Sequence, residues 1–215
     1  MRPVKADAPV RPGLRDRKRE ATRTSIWQSA MSLFAERGYD DVTVEEIADV
    51  CELSPRTFFR YYATKEDVLF AGTDLRRTIF LAALVDQPAG AGPFEAIEGA
   101  SRAMAVHYQP DREALRTRAR IVGAAPSLRS RNAGLPQQWD HDVAEQLRAS
   151  GRGAGMTDLE LKLVTGLAMT AFRVCIEEWI DSDGELSHLI DVAFGSLGAG
   201  LGRRSHSHPR RRAAG

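Results

Sequence analysis

Two helix-start signals lie close together near the N-terminus, and their spacing constrains the fold more than any other feature of the sequence. Thr43 is followed three residues later by Glu46, the pattern of a capping box, and Ser54 is followed by Pro55, which suits the first position of a helix. The helices that these signals begin, the first over residues 44–50, are too short to be stable in isolation. Packing must therefore hold them, and the apolar residues spaced to form a shared core are Ile47, Ala48, Leu53 and Phe58.

Helical periodicity continues along almost the whole chain, and no segment alternates with period two for long enough to predict a strand. The first helix is predicted over residues 15–37, with Gly38 placed to end it, and Thr64 is expected to cap a helix that runs to about Val85. The loop Gln87–Pro93 contains two prolines and two glycines, and we interpret it as a domain boundary region. Further helices are predicted at about residues 94–108, 112–123, 127–150, 158–181 and 186–201.

The charge of the chain is informative in its distribution rather than in its sum. The 215 residues carry a formal net charge of only +1, which argues against a protein that coats nucleic acid with its whole surface. Basic residues nevertheless crowd the N-terminal region, and a second basic cluster over residues 203–212 closes the chain. Such ends bind phosphate backbones in some proteins and are solvated disordered tails in others, and both interpretations stay open.

Cysteine usage and hydropathy indicate an intracellular protein. Cys51 and Cys175 are far apart and neither belongs to a CxxC pair, so neither a metal site nor a disulfide framework is predicted. No apolar run approaches the roughly 18 residues that span a bilayer. No apolar segment follows the basic N-terminus, as it would in a secretory signal. We therefore expect a cytoplasmic protein that has no membrane partner and no cofactor.

The segment from Thr43 to Lys65 has the residue types of a DNA reader. A short, capped helix that presents arginine, threonine and aromatic side chains beside a basic first helix suits insertion into a major groove. An ordinary helical hairpin whose aromatic residues are core would produce a similar pattern. From the residues alone, both interpretations stay open.

The same segment resembles the DNA-binding part of the TetR (tetracycline repressor) family. The resemblance covers about residues 15–72 and rests on the run TVEEIADVCELSPRTFFRYYATKEDVL, Thr43 to Leu69, together with the preceding LFAERGYDDVTVEEIA. It implies an all-α regulator with a three-helix DNA-binding head at residues 15–64 and a helical ligand-binding and dimerisation core at residues 65–202. A flexible basic arm over residues 1–14 and a disordered basic tail over residues 203–215 complete the expected organisation. The partners it implies are a palindromic operator in double-stranded DNA, a second copy of the chain and a small-molecule effector that releases a repressor.

The resemblance also assigns roles position by position. Arg56 and Thr57 are expected to reach bases, because a guanidinium can bond two acceptors of guanine and a threonine methyl can contact thymine. The phosphate contacts are expected from Thr43, Arg60, Tyr61 and Lys65. The full set of implied DNA-binding residues is Thr43, Val44, Ser54, Pro55, Arg56, Thr57, Phe59, Arg60, Tyr61 and Lys65. Phe58 and Tyr62 are interpreted as packing residues.

Two positions depart from the family pattern. Phe59 stands where relatives usually expose a tyrosine, so a hydroxyl contact is replaced by an apolar one. Glu52 stands in the turn where relatives commonly have glycine. A positive φ at Glu52 would cost roughly 1 kcal/mol of strain.

The last two helices are expected to form the dimer interface. On the helix 158–181 the apolar stripe is Leu159, Leu163, Leu167, Thr170, Val174 and Trp179. On the helix 186–201 it is Leu186, Leu189, Ile190, Ala193, Leu197 and Leu201. Either stripe would also serve as core within one chain, and several of these residues must do so.

A second resemblance concerns the effector. The run LRTRARIVGAAPSLRSRN, followed by a helix with Gln-Gln-Trp, resembles the actinobacterial subgroup that includes mycofactocin-system regulators. This implies an apolar tunnel with a basic mouth for a coenzyme A or carboxylate head group. The candidate ligand-binding residues are Met104, His107, Tyr108, Arg118, Ile121, Val122, Trp139, Met169 and Phe172, and the further candidates for the mouth are Arg120, Arg129 and Arg131. For each apolar candidate, plain core is the alternative.

Two other classes of function compete with a regulator. An enzyme is poorly supported, since the pair His141-Asp142 lacks further spaced metal ligands and the glycine-rich Gly151–Gly155 lacks the strand and GK[ST] of a phosphate loop. His206 and His208 offer at most a loose metal site in the tail. A helical bundle for protein interaction would explain the helices but not the pattern from Thr43 to Lys65.

Overall fold

The predicted all-α class is confirmed. A computed structural model of the protein describes residues 13–202, apart from the side chains of Asp16 and Leu201, and these residues contain helices and no strand. The helices are α1 (Leu14–Arg37), α2 (Val44–Val50), α3 (Pro55–Phe58), α4 (Lys65–Val85), α5 (Pro93–Tyr108), α6 (Arg112–Ala124), α7 (Pro126–Ala133), α8 (Leu135–Ala149), α9 (Asp158–Asp181) and α10 (Leu186–Gly202). A 3-10 turn, Gln109–Asp111, joins α5 to α6.

One predicted helix is wrong. The periodic segment 127–150 is two helices, α7 and α8, that meet at Gly134. Pro136 follows directly, and a proline has no N–H to donate to the carbonyl of Asn132, four residues earlier. The proline instead occupies the first turn of α8, where the missing donor costs nothing. The apolar periodicity continues across this break, so periodicity alone did not predict the boundary between α7 and α8.

The described chain divides into two compact units, residues 13–74 and 75–202. In the first unit, the apolar face of α1 packs with α2 and α3. Its fully enclosed side chains include Ile26 of α1, Ile47 of α2 and Phe58 of α3. The predicted shared core is thus confirmed for Ile47, Ala48 and Phe58, while Leu53 is only half-buried.

In the second unit, α9 is the central helix and contacts α5, α6, α8 and α10. Its inner face buries Phe172 and Trp179 against Phe80 of α4 and Phe194 of α10. The helix begins with a second capping box, formed by Thr157 and Glu160. The element at the centre of this core is therefore also the one whose outer face is expected at the dimer interface.

Some predictions lie outside the described residues. These are most of the basic arm, at residues 1–12, and the basic tail at residues 203–215 with His206 and His208. Among the helices of residues 13–202, none has both the length and the apolar character that crossing a membrane requires.

Candidate nucleic-acid interface

The start of α2 is fixed by a complete capping box, as predicted. The hydroxyl of Thr43 accepts from the backbone N–H of Glu46 at 3.3 Å, and the N–H of Thr43 donates to the Glu46 carboxylate at 2.9 Å. Arg37, in the last turn of α1, forms an ion pair with the other carboxylate oxygen at 2.8 Å. The Thr43 N–H, and after it the Arg37 guanidinium, lower the pKa of Glu46. The first turn of α2 is therefore tied to the end of α1.

The turn between α2 and α3 is strained at Glu52. This residue has a φ of 54° and is the single non-glycine residue with a positive φ in the described chain. The turn is closed by hydrogen bonds from the N–H groups of Glu52 and Leu53 to the carbonyls of Asp49 and Ala48, at 3.0 and 2.9 Å. The conformation that favours glycine is thus occupied by glutamate, and the predicted cost of about 1 kcal/mol applies.

The short helix α3 is built from one cap and one buried ring. Ser54 accepts from the N–H of Thr57 at 3.1 Å, and Pro55 occupies the first turn. Phe58 is fully buried, and its ring meets the edges of Phe59 and Tyr62 at centroid distances of 5.7 and 6.0 Å. The prediction of Phe58 and Tyr62 as packing residues is confirmed.

Two exposed cations lie in α3 and in the turn that follows it. Arg56 and Arg60 are exposed and form no side-chain hydrogen bond or ion pair with the residues that the structure describes. Phe59 lies between them in sequence with 51% of its surface exposed. Thr57 is half-buried, and its hydroxyl lies 2.9 Å from that of Ser54. Two unpaired guanidiniums beside an exposed ring can bond base edges or phosphates without first breaking an internal contact.

The side chain of Lys65 is used inside the first unit. Its Nζ donates to the carbonyls of Tyr39, Asp40 and Val42, at 2.7, 3.3 and 3.1 Å, and lies 4.4 Å from the centre of the Tyr39 ring. An ammonium has three N–H donors, so all of them are engaged. A phosphate contact by Lys65 would have to replace one of these bonds. The geometry therefore favours a positioning role for a residue from which the sequence predicted a DNA contact.

Arg23 of α1 holds the segment that follows α3. Its guanidinium donates to the carbonyl of Tyr61 at 3.3 Å and stacks 4.8 Å from the centre of the Tyr62 ring. The hydroxyl of Tyr62 donates back to the carbonyl of Arg23 at 3.2 Å, and burial raises the pKa of this phenol. Sequence reasoning missed this pairing, because Arg23 looked like one more residue of the basic N-terminal region.

The remaining implied DNA contacts lie around these groups. Thr43 is exposed, while Val44, Pro55 and Tyr61 are half-buried. Ser54 is exposed, but its hydroxyl is already the cap of α3.

In the second unit, the structure brings five of the ligand candidates together. Met104 and Met169 are fully buried in the same cluster as Tyr108 and Phe172, and Trp139 packs against it. The ring of Tyr108 lies edge-on to Phe172 at a centroid distance of 6.0 Å. Two further rings join this cluster that were not among the ligand candidates, namely Phe80 and Trp179, which was expected in the dimer stripe of α9.

Three other ligand candidates are placed elsewhere. Ile121 is half-buried and Val122 is buried, but neither belongs to the aromatic cluster. His107 is exposed, whereas Met104 and Tyr108 of the same helix are buried. His107 therefore lies outside the buried cluster that its neighbours on α5 join.

Of the four arginines proposed for a basic mouth, Arg118 alone is half-buried. Burial, with a contribution from the neighbouring Arg76, lowers the pKa of Arg118 to about 10, and its guanidinium donates to the Asn132 amide oxygen at 2.7 Å. Arg76 pairs with Asp111 at 2.8 Å and stacks over the Tyr108 ring at 5.3 Å. The other three candidates, Arg120, Arg129 and Arg131, are exposed. Sequence reasoning missed Arg76, although a basic pair inside the apolar helix α4 was a visible signal.

The two stripes expected at the dimer interface differ in exposure: that of α9 is mostly exposed, and that of α10 is mostly buried within the chain. On α9, Leu159, Leu163, Leu167, Thr170 and Val174 are all exposed, and Leu159 and Leu163 expose 67% and 62% of their surface. Trp179, the last residue of this stripe, is fully buried and therefore takes the alternative role of core within the chain. The stripe of α10 is core within the chain, because Leu186 and Ile190 are fully buried and Leu189, Ala193 and Leu197 pack against them, whereas the Leu201 side chain lies outside the described residues.

Comparison with known proteins decides the family. A family model described as bacterial regulatory proteins of the tetR family matches residues 26–71, and a model of the MftR C-terminal domain matches residues 91–202. The HTH-type transcriptional regulator TcmR of Streptomyces glaucescens is 32% identical over 202 residues, which cover 90% of this chain and 88% of that protein. The chain belongs to the TetR family of transcriptional regulators. Its helix-turn-helix is thus α2, the turn at Glu52, and α3, which is the recognition helix.

Other relatives agree with this family and with the subgroup. MftR of Mycobacterium tuberculosis is 27% identical to this chain, and the match covers 87% of this chain and 94% of MftR. Its name describes a mycofactocin biosynthesis transcriptional regulator. The crystal structure of the Thermus thermophilus repressor FadR, in complex with lauroyl-CoA, has a TM-score of 0.54 and 26% identity, and the match covers 90% of this chain and 99% of that one. A regulator from Syntrophomonas wolfei is 12% identical with a TM-score of 0.69 over 88% and 99% of the two chains, and it supports the fold alone.

Proposed function

We propose that this TetR family regulator is a repressor that binds a palindromic operator as a dimer and is released by a small apolar or acyl-type effector. The observation that carries the proposal is a pair of exposed cations, Arg56 in α3 and Arg60 in the turn after it, which are unpaired within the described residues. Unpaired cations near a recognition helix repel one another and are hydrated. An anionic or acceptor-rich surface can replace the bound water. Duplex DNA offers both kinds of group.

The proposed contacts divide into reading and anchoring. Arg56, in the first turn of α3, is assigned to a base edge, with Thr57 beside it. Arg60, Tyr61 and Thr43 are assigned to phosphates, which fix register without reading sequence. Lys65 is assigned to positioning, because its ammonium already joins the end of α1 to the start of α4.

The exposed stripe of α9 supports a homodimer through the last two helices. Leu159, Leu163 and Leu167 are spaced by four residues, and Val174 continues the same side of the helix with 54% of its surface exposed. Burying one such leucine fully is worth about 1.5–3 kcal/mol, so a stripe of this length favours association. Val192, also half exposed, is the apolar residue that α10 would add. A dimer carries two recognition helices and can therefore read both halves of a palindrome.

The core of the second unit supports an acyl-type effector. The cluster of Met104, Tyr108, Met169 and Phe172 is apolar, and the guanidiniums of Arg76 and Arg118 lie near the Tyr108 ring. An apolar chain with an anionic head would match both parts. The complex of the FadR relative with lauroyl-CoA adds support for this ligand class. Such an effector releases DNA only if it binds the released state more tightly than the operator-bound state.

We infer further that the regulator is not an enzyme and acts in the cytoplasm, where a bacterial operator is accessible. Its relatives by sequence are transcriptional regulators. An operator-reading protein needs no chemistry beyond binding.

The experiment combines native mass spectrometry with release from DNA. The full chain is first used to select duplexes from a random library, and the selected duplex is then titrated with lauroyl-CoA or, as the matched control, with coenzyme A. We expect a dimer bound to one duplex, released by lauroyl-CoA and not by coenzyme A. A monomer that binds all duplexes equally would contradict the proposal. Release by coenzyme A as well as by lauroyl-CoA would contradict the proposal that the effector is recognised by its acyl chain.

A further inference from the structure

Helix α1 is longer than its packing requires. Along the helix, Arg37 contacts Glu46 of α2, the carbonyl of Ser25 lies 4.0 Å from the Cys51 sulfur in the turn before α3, and Arg23 bonds to Tyr61 after α3. The contacts therefore pass from the start of α2 to the level of the recognition helix. Beyond that level α1 continues, and residues 13–21, the Asp16 side chain aside, are exposed.

The unpacked part projects a substantial distance. From Arg23 back to Leu14 is nine residues, which is about 13 Å at the rise of an α-helix. It points away from the α2 end of α1 and past the level of α3. This part of the helix therefore lies beyond the contact that Arg23 makes with the segment after α3.

This projecting part carries an ordered row of cations. Arg15, Arg19 and Arg23 are spaced by four residues and share one side of α1, and Lys18 borders the row. Arg15, Lys18 and Arg19 form no ion pair or side-chain hydrogen bond with any residue in the described part of the chain. Like charges at this spacing destabilise a helix. The inner member of the row, Arg23, is the one held against Tyr61 and Tyr62 after α3.

We propose that the row formed by Arg15, Lys18 and Arg19 binds phosphates outside each half-site of the operator. The inference rests on the proposed DNA-binding function and extends its footprint. A length of about 13 Å corresponds to roughly four base pairs of duplex at 3.4 Å per step. Regularly spaced phosphates can neutralise a row of cations, and the row needs no contact with base edges. The contact is therefore independent of sequence and strengthens operator and random DNA alike.

The chain offers a matched pair of variants for the test. Arg15→Gln/Arg19→Gln removes two charges from the row, and Arg17→Gln/Lys162→Gln removes two charges elsewhere. Arg17 lies on another side of α1 and Lys162 is an exposed lysine of α9. All four side chains are exposed, and circular dichroism and thermal melting establish that both variants fold.

The readout is the dependence of DNA affinity on potassium chloride. The probes are the duplex selected by the full chain, with on the order of ten extra base pairs at each end, and the same duplex trimmed to the palindrome. Each lost phosphate contact lowers the slope of log K against log salt by about 0.9, so two lost contacts on each protomer lower it by up to about 3.6 for a dimer. We expect this loss for Arg15→Gln/Arg19→Gln on the extended duplex, and a much smaller one for Arg17→Gln/Lys162→Gln.

Trimming the duplex gives the complementary result. The wild-type slope is expected to fall when the flanks are removed, and the slope of Arg15→Gln/Arg19→Gln is expected to fall much less, because only Lys18 of the row remains. Equal slopes for the two double variants on the extended duplex would overturn the inference, because the row would then contribute only net charge. The same result is expected if the row binds an acidic protein partner instead of DNA. A wild-type chain without preference for any selected duplex would instead contradict the proposed function itself.

Discussion

The ammonium of Lys65 lies 2.7 Å from the carbonyl oxygen of Tyr39 and 4.4 Å from the centre of the same residue's ring. One side chain of α4 thereby satisfies three carbonyls of the loop that follows α1. The contact fixes the loop that leads to Thr43, the first residue of the helix-turn-helix.

Replacing Lys65 with methionine separates this positioning role from a phosphate contact. Lys65→Met leaves three carbonyls without their charged donor, and we expect the first unit to lose about 2 kcal/mol of stability in urea denaturation. Lys162→Met, on the exposed surface of α9, is the control and should be neutral. If Lys65→Met kept wild-type stability but lowered the salt slope of DNA binding by about 1, the phosphate role expected from the family would be correct instead.

The strained turn predicts a stabilising substitution. Glu52→Gly removes the cost of a positive φ of about 1 kcal/mol, and since glycine also gains entropy in the unfolded chain, we expect a smaller net gain, on the order of 0.5 kcal/mol. Glu52→Ala keeps the strain and serves as the control. Thermal melting of the three proteins measures the difference, and a glycine variant no more stable than the alanine variant would show that the turn is not strained.

The capping box of α2 predicts a dependence on acid. The Thr43 N–H and the Arg37 guanidinium lower the pKa of Glu46, so its ionised form is favoured in the folded state. Its contribution to stability is therefore fully present above the unfolded pKa, about 4.3, and is lost as the pH falls through the lower folded pKa. Melting curves between neutral pH and pH 3 should show a smaller acid-induced loss for Glu46→Gln than for the wild type. Parallel pH profiles would contradict this linkage.

Much of this head could be predicted from sequence because its signals are local. The caps at Thr43 and Ser54, the end of α1 at Gly38 and the strain at Glu52 each depend on a few neighbouring residues. The partners of Lys65 and Arg23 could not be predicted, since they lie 23 or more residues away and are brought close only by tertiary packing. The apolar pattern of α9 predicted an apolar stripe along the helix. Trp179 shows that such a pattern does not decide whether a residue is buried within the chain or at an interface.

The exposed stripe of α9 predicts how the dimer would be disrupted. Leu163→Glu places a charge in its middle, and burying an unpaired carboxylate strongly disfavours association. We expect a monomer in sedimentation and a large loss of operator affinity. Val106→Glu adds the same charge at a residue of α5 that is 76% exposed and lies outside the stripe, and it should remain dimeric. Two dimeric variants, or two monomeric ones, would place the interface elsewhere.

We propose that α3 and the turn after it read a DNA sequence, and the affinity ratio between selected and random duplexes measures this reading. Arg56 is assigned to a base, so Arg56→Ala should reduce this ratio by about 1–3 kcal/mol per half-site, whereas Arg60→Ala should weaken both duplexes similarly and reduce the salt slope by about 1. Both affinities are measured at one fixed salt concentration. A ratio that falls for Arg56→Ala and not for Arg60→Ala is the predicted result. A wild-type ratio near one, or a ratio unchanged by Arg56→Ala, would contradict the account.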